Sequence, residues 1–471
     1  MEHVIVVDLG FGDAGKGTVV DHLCAAAART ASPVTAVVRF NGGAQAAHNV
    51  VAEDGRHHTF AQFGSGTFTP GVRTHLSRFM LVDPLALAAE ADHLRAVGVP
   101  DALDRLTVDE DALLTTPYHR AANRARESAR GAARHGSCGM GIGETMAYSL
   151  EHDDAPRVGD CRSPARLLRR LTAVRDWYRA AFPDGEDVPD PGACAAAYTA
   201  FAERVAIVDG AHLESLLRAG PVVFEGAQGV LLDEWHGFHP YTTWSTTTFA
   251  NAETLLAEAG RTAFRLGVVR AYATRHGPGP FVTEDPALTA DLPDPHNGHG
   301  PWQGAFRVGH LDAVALRYAL DAAGGADGLA VTHLDVAGAR PDLRVCLAYE
   351  MSGTGRDGTR VERLEPGPPD LDRQAALARR LFTARPVYAP LGHAVETIET
   401  LLRTPVVLRS YGPTSADKRP GRPGTPLDRL SGGSGTRVRV GVHPRPVRIP
   451  HLVADAVAAP ADENVGEQDR Q

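Results

Sequence analysis

The chain has 471 residues, with 48 basic and 57 acidic side chains and a formal net charge of −9. Its composition, 43% hydrophobic and 22% charged, excludes a disordered chain, and the mild acidity excludes a general electrostatic footprint for nucleic acid. No apolar run approaches the roughly 18 residues of a membrane span, and five scattered cysteines without a CxxC pair point to neither a disulfide framework nor a zinc site. The start of the chain lacks a basic leader, so the expectation is a cytoplasmic protein that partners small molecules, with no nucleic acid and no membrane. Only Lys16 and Lys418 are lysines; every other basic residue is arginine. A GC-rich coding bias accounts for that average, but not for the survival of a lysine inside a glycine-rich loop.

Residues 4–7 read as a buried strand, followed by a glycine-rich turn and a helix through 18–23. A second strand, 34–40, ends at Asn41-Gly42-Gly43. Strand, turn, helix and strand in this order open a parallel α/β sheet. Helical patterns follow at 85–97, 121–133 and 164–182, and 183–191 is a Pro/Asp-rich link. Segments 221–226 and 329–335 repeat the strand-and-turn signal, with polar residues just after an apolar run, where open parallel sheets bind ligands. Residues 285–301 read as a long loop. The expected fold is α/β: a large, mostly parallel β-sheet flanked by helices, in a P-loop-like nucleotide-binding superfold. It occupies 1–450 as one domain with helical and loop excursions, and 451–471 form an acidic tail expected to fray.

Three segments carry candidate chemistry. The first is Gly10-Phe-Gly12-Asp13-Ala-Gly15-Lys16-Gly17-Thr18, between the first strand and helix. Such a turn offers backbone N–H groups and the positive helix end to phosphate oxygens, and the lysine neutralises their charge. It matches G-x-x-x-x-G-K, but Gly17 stands where a Walker A loop has the Ser or Thr that holds magnesium. By spacing, Asp13 either caps the helix or, as a carboxylate among phosphates, holds magnesium or removes a substrate proton. The second segment, Asn41-Gly-Gly-Ala-Gln45-Ala-Ala47-His48, carries a histidine open to a structural or a catalytic role. In the third, Phe224-Glu-Gly-Ala-Gln228-Gly-Val-Leu-Leu-Asp233, Gln228 either hydrogen-bonds an amide-like ligand or closes a turn.

These segments, in this order, resemble the adenylosuccinate synthetase family. The resemblance continues collinearly over residues 4–420 through Gly136-Ser-Cys138-Gly-Met140-Gly-Ile-Gly143, Arg157-Val-Gly-Asp160, Tyr241-Thr-Thr243, Thr274-Arg-His-Gly-Pro-Gly-Pro-Phe281, Thr332-His-Leu-Asp335 and Ser410-Tyr-Gly412-Pro413. The family joins IMP to L-aspartate with GTP and magnesium. The purine 6-oxygen is phosphorylated, and the aspartate amine then displaces the phosphate. The resemblance implies that Asp13 takes the N1 proton and binds magnesium, with the Ala47 backbone carbonyl joining the metal shell. His48 contacts the GTP phosphates, and Gln228 holds the activated base. Gly12, Gly15, Lys16, Gly17 and Thr18 cradle phosphate, while His333, Asp335 and Gly412 border the guanine. It also implies a homodimer with sites near the interface.

Substrate recognition departs from the family. In Gly300-Pro-Trp-Gln-Gly-Ala-Phe-Arg307-Val-Gly-His-Leu-Asp312 the arginine cluster that grips aspartate is reduced to Arg307, although arginine is the favoured basic residue of this chain. A dicarboxylate needs paired cationic forks, which Ala, Gly and Phe do not supply. In the 5′-phosphate pocket Gln45 stands for asparagine, Cys138 for threonine and Met140 for arginine, while Thr243 is kept. The expectation is a GTP- and magnesium-dependent ligase acting on a purine nucleotide or analogue and an amine nucleophile. Gln45, Cys138, Gln228, Thr243 and Arg307 are its substrate contacts, and its specificity is altered. The alternatives are authentic adenylosuccinate synthesis with Arg307 and Arg275 gripping aspartate, a nucleotide-binding regulatory protein, and a generic P-loop kinase or GTPase.

Overall fold

Continuous apolar runs belong in the middle of a parallel sheet, where helices cover both faces. The computed structural model describes residues 3–294, 296–351 and 359–421, all within one compact unit spanning 1–433; the expected tail, 451–471, lies outside the described residues. One sheet has ten strands: β1 (His3–Asp8), β2 (Ala36–Arg39), β3 (Arg73–Leu76), β4 (Leu106–Asp109), β5 (Ala206–Val208), β6 (Val222–Glu225), β7 (Ala263–Arg270), β8 (Gly328–Thr332), β9 (Val406–Ser410) and β10 (Lys418–Pro420). Their order is β10-β9-β8-β7-β1-β6-β2-β3-β4-β5. Every neighbouring pair is parallel except β9–β10, which is antiparallel.

The two-residue period of β1 divides its side chains between two cores. Ile5 and Val7 join one layer with Val38, Phe224 and Leu329. Val4 and Val6 face the other, with Val19, Val20 and Leu23 of helix α1 (Lys16–Ala27). A third cluster gathers helices Pro84–Ala96, Pro117–Ala129, Pro164–Ala181 and Pro191–Ala202 beside the β3–β4 end. The loops after β1, β2, β6, β8 and β9 therefore meet at the carboxyl edge of the sheet, the usual ligand crevice of this architecture.

The strands expected at 4–7, 34–40, 221–226 and 329–335 fall on β1, β2, β6 and β8. The last is shorter than expected, because His333 takes a left-handed conformation (φ 57°) and a helix begins at Leu334. The helix expected at 121–133 runs instead over Pro117–Ala129, since Thr116 caps it and Pro117 occupies its first turn. The long loop at 285–301 opens with a short helix, Pro286–Asp291, whose N-cap Asp285 accepts from Ala287 N at 2.9 Å. No helix among the described residues is long and apolar enough to cross a membrane.

Asp21 is buried on α1, and burial raises its carboxyl to about 7, against the opposing pull of Lys418. Its unfolded value is about 3.9, so the native state holds the extra proton and stability falls as pH rises between about 4 and about 7. Asp21→Asn should flatten that fall in a series of melting temperatures from pH 5 to pH 8. Parallel curves for variant and wild type would refute the assignment.

Candidate active site

The first loop is organised by Asp8 at the end of β1. Its carboxylate accepts from Gly10 N (2.8 Å) and Ala14 N (2.9 Å), and pairs with the buried Lys16 ammonium at 3.1 Å. Gly12 (φ 95°), Asp13 (φ 59°) and Gly15 (φ 91°) are left-handed, turns of the kind from which an anion nest is built. Asp13 does not cap α1; Gly15 holds the N-cap position. The Asp13 side chain is 28% accessible, with His276 Nε2 3.9 Å from its carboxylate, and Arg270 Nη1 donates to its backbone carbonyl at 3.1 Å. Burial raises the Asp13 carboxyl, with His276, Lys16 and Arg270 pulling the other way.

His48 is held by a buried carboxylate. Its Nδ1 lies 2.6 Å from Glu225 Oε1, while Glu225 Oε2 accepts from Ser65 N at 2.9 Å and Ser65 Oγ donates to Oε1. Burial pushes the Glu225 carboxyl up, but His48, Arg39 and Ser65 outweigh it and hold it at about 2. Burial pulls His48 down to about 4 against Glu225. At neutral pH the pair is therefore a carboxylate accepting from Nδ1–H, and Nε2 is the open nitrogen. This contact also explains Gly17. A Cβ there would stand 2.8 Å from His48 Cβ and 3.2 Å from Ser65 Oγ, so His48 and Ser65 leave no room for a Walker A side chain.

The segment after β6 packs directly on the first loop. A Cβ on Gly229 would meet Gly10 O at 2.3 Å and Gly12 N at 2.5 Å. Gln228 (φ 57°) is left-handed, and its Oε1 is enclosed without a partner; Gln45 Oε1 and Nε2 are enclosed the same way. The two amides converge beside Gly42, where a Cβ would lie 3.2 Å from Gln45 Nε2 and 3.3 Å from Gln228 Oε1. Unpartnered buried amides cost about 1–3 kcal/mol each unless a ligand satisfies them. Gln228 is thus not a turn amide bonded to backbone. Ile142, just after the Cys138 loop, packs on Gly43 and brings that loop beside Gln45. Burial raises the half-buried Cys138 thiol. Thr243 is also half-buried, and its backbone N donates to Leu232 O at 2.9 Å.

The arginines expected at the nucleophile are committed inside the protein. Arg275 and Arg307 face each other across the hairpin of Ala273–His276 with Phe306–Gly309. Arg307 donates to Glu284 Oε2 (2.7 Å), Gly277 O (2.6 Å) and Gly279 O (3.0 Å). Arg275, 1% exposed, donates to the carbonyls of Pro278, Pro280 and Tyr241, and burial lowers its guanidinium to about 9. Two like charges set opposite each other are stable here because backbone carbonyls and Glu284 accept from them.

On the β8–β9 side, His333 Nδ1 lies 3.0 Å from Thr332 Oγ1, Asp335 is exposed, and Thr18 Oγ1 donates to Pro413 O at 2.6 Å. The Thr18 hydroxyl is therefore engaged with the loop around Gly412 rather than open towards phosphate. Among the described residues no group of three or more His, Cys, Asp or Glu side chains could cage a metal. Asp13, with the Ala47 carbonyl on the exposed residue before His48, suits magnesium, which keeps waters and takes its other ligands from phosphates. Sequence reasoning passed over Glu225 and Lys418. Glu225 had one signal, a carboxylate ending an otherwise apolar strand.

The adenylosuccinate synthetase family profile matches residues 5–418. The chain belongs to the adenylosuccinate synthetase family. It is 35% identical over 365 residues to the adenylosuccinate synthetase of Synechocystis sp., covering 75% of this chain and 79% of that protein. It is 33% identical over 436 residues to that of Marinomonas sp., covering 88% and 96%. The fold is that of fully ligated adenylosuccinate synthetase from Plasmodium falciparum, with a TM-score of 0.75 at 21% identity over 90% of this chain and all of that one. The cyanophage S-2L succinoaminodeoxyadenylate synthetase, bound to dGMP and dATP, superposes with a TM-score of 0.56 at 19% identity over 91% and 98%. As a family member, the protein is a GTP- and magnesium-dependent C–N ligase acting on small molecules.

Two variants test this geometry. Gly17→Ser restores the Walker residue but displaces His48, and GTP-dependent phosphate release should fall at least about tenfold; an undiminished rate would mean the contact is not functional. Glu225→Gln keeps the shape and removes the charge. Turnover should drop about 10–100-fold with nucleotide affinity nearly constant. Equal losses of affinity and turnover would reduce Glu225 to a loop support.

Proposed function

We propose that this ligase phosphorylates an oxo group of a purine-like acceptor and that an amine other than L-aspartate displaces the phosphate. The observation that carries the reading is the internal bonding of Arg275 and Arg307. A bidentate grip on a dicarboxylate needs guanidinium edges that are open, whereas Arg275 is bonded to three backbone carbonyls and Arg307 to two carbonyls and Glu284. Asp13 and the Ala47 carbonyl would hold magnesium, which would supply neutralisation of the charge on the transferring phosphoryl group. Asp13, raised by burial, is suited to accept the purine N1 proton as negative charge moves to the 6-oxygen. That oxygen attacks the γ-phosphorus and GDP leaves. His48 Nε2 faces the transferring charge, and the unpartnered Gln228 amide holds the base. The amine then bonds to C6, phosphate leaves with the 6-oxygen, and the amine's surplus proton passes to solvent.

Authentic adenylosuccinate synthesis is the second reading, favoured by relatives of that name at 33–35% identity. A regulatory protein without turnover fits less well, because the amides and Asp13 are kept in place. A generic P-loop kinase conflicts with the His48 contact at Gly17. The family resemblance further carries a homodimer, for which Trp244 (41% exposed), beside Gly143, and Leu150 (61% exposed) on the same helix offer an apolar face, and a cytoplasmic setting.

Phosphate release from GTP should be measured with IMP and related purine nucleotides against a panel of amines. The expected result is turnover with a non-acidic amine at least about 100-fold above that with L-aspartate. Efficient turnover with IMP and L-aspartate alone would replace the first reading by the second. Turnover with no pair, unchanged by Asp13→Asn, would favour the regulatory one.

A further inference from the structure

We propose that Lys418 positions the wall against which the guanine base of the nucleotide lies, an inference that rests on the GTP dependence of the family. Lys418 opens the edge strand β10 and is 4% exposed. Its ammonium donates to three oxygens from two distant parts of the chain: Thr18 Oγ1 in the first turn of α1, Gly412 O at 3.0 Å and Thr414 O at 2.7 Å. The Thr18 hydroxyl passes the connection on to Pro413 O, and His22 Nδ1 lies 3.0 Å from Ser415 O. The loop 411–417 is thereby fastened along α1, the helix that begins at the phosphate loop.

The loop also has internal bonds of its own. Asp417 Oδ2 accepts from Thr414 N (2.8 Å) and Thr414 Oγ1 (2.7 Å). Asp417 therefore sets the shape of the loop, and Lys418 sets its place. A buried cation is tolerated only when its donors are satisfied, and all three are. The carboxylates of Asp417, Asp21 and Asp335 act on the ammonium from the loop, from α1 and from the segment after β8. Lys418 thus stands where the segments following β1, β8 and β9 meet.

A nucleotide with its phosphates on the nest before α1 can extend its base to one side or the other. Towards β6 and β2 the space holds His48, Gln45 and Gln228. Towards β8 and β9 stand the exposed Asp335 and the backbone around Gly412, a carboxylate and a polar edge suited to the N1–H and amino group of guanine. These groups serve only if the Gly412 loop keeps its distance from Asp335, and Lys418 maintains it. The chemistry also explains why a lysine persists in a chain that otherwise uses arginine. Three converging oxygens fit a compact ammonium with three rotatable donors, whereas a planar guanidinium fork does not.

The test is calorimetric titration of Lys418→Met and Lys418→Arg with two probes, magnesium GTP and the base-free magnesium tripolyphosphate. Both variants should bind GTP at least about tenfold more weakly while tripolyphosphate affinity stays within about threefold. Thr18→Val, which removes one acceptor, should show the same pattern at smaller size and serves if the lysine variants fold poorly. Equal losses on the two probes, unchanged GTP affinity, or full recovery with arginine would overturn the proposal. Wild-type protein that binds both probes equally would overturn the guanine reading, and the proposal with it.

Discussion

A buried carboxylate fixes the arrangement of this site. Glu225, fully enclosed at the end of β6, holds His48 against the first turn of α1, and everything at that turn follows from the contact. His48 and Ser65 fill the space beside residue 17, which has no side chain. The N-cap of α1 is Gly15, not Asp13. The buried charge is tolerable because Ser65 donates twice and Arg39 lies near.

The arginines show how one residue type serves opposite ends. Arg270 donates to the Asp13 carbonyl and meets Asp294 at 3.7 Å, so it holds the loop that carries Asp13. Arg275 and Arg307 are turned into the hairpin, where they organise the carbonyls of 277–280. In both places a guanidinium satisfies backbone acceptors that would otherwise be unpaired.

Much of the architecture was legible because parallel strands carry continuous apolar runs. β1, β2, β6 and β8 all announce themselves, and the glycine-rich turn lies where the first crossover must be. Helix starts were less legible: at Pro117 and Pro286 a cap and a proline decide the boundary, while the apolar pattern begins later or not at all. Asp13, His48 and Gln228 could be found as motif residues, but composition and spacing left each of them with a structural alternative. Their three-dimensional partners were not legible, since an orphaned amide oxygen or a 2.6 Å bond to a residue 177 positions away has no local signature.

The two lysines join these threads. Both are 4% exposed, and both bind the ends of one structural unit: Lys16 ties the start of α1 back to β1 through Asp8, and Lys418 ties its first turn to the loop after β9. The Lys16 ammonium meets one carboxylate oxygen of Asp8, and the Lys418 ammonium meets three oxygens from α1 and the loop after β9. A coding bias towards arginine acts on every basic position, yet it could not act where the partner geometry demands a point charge. The composition that looked like background therefore marks, by its two exceptions, the places where α1 is held: one at the glycine-rich loop, the other at the loop after β9.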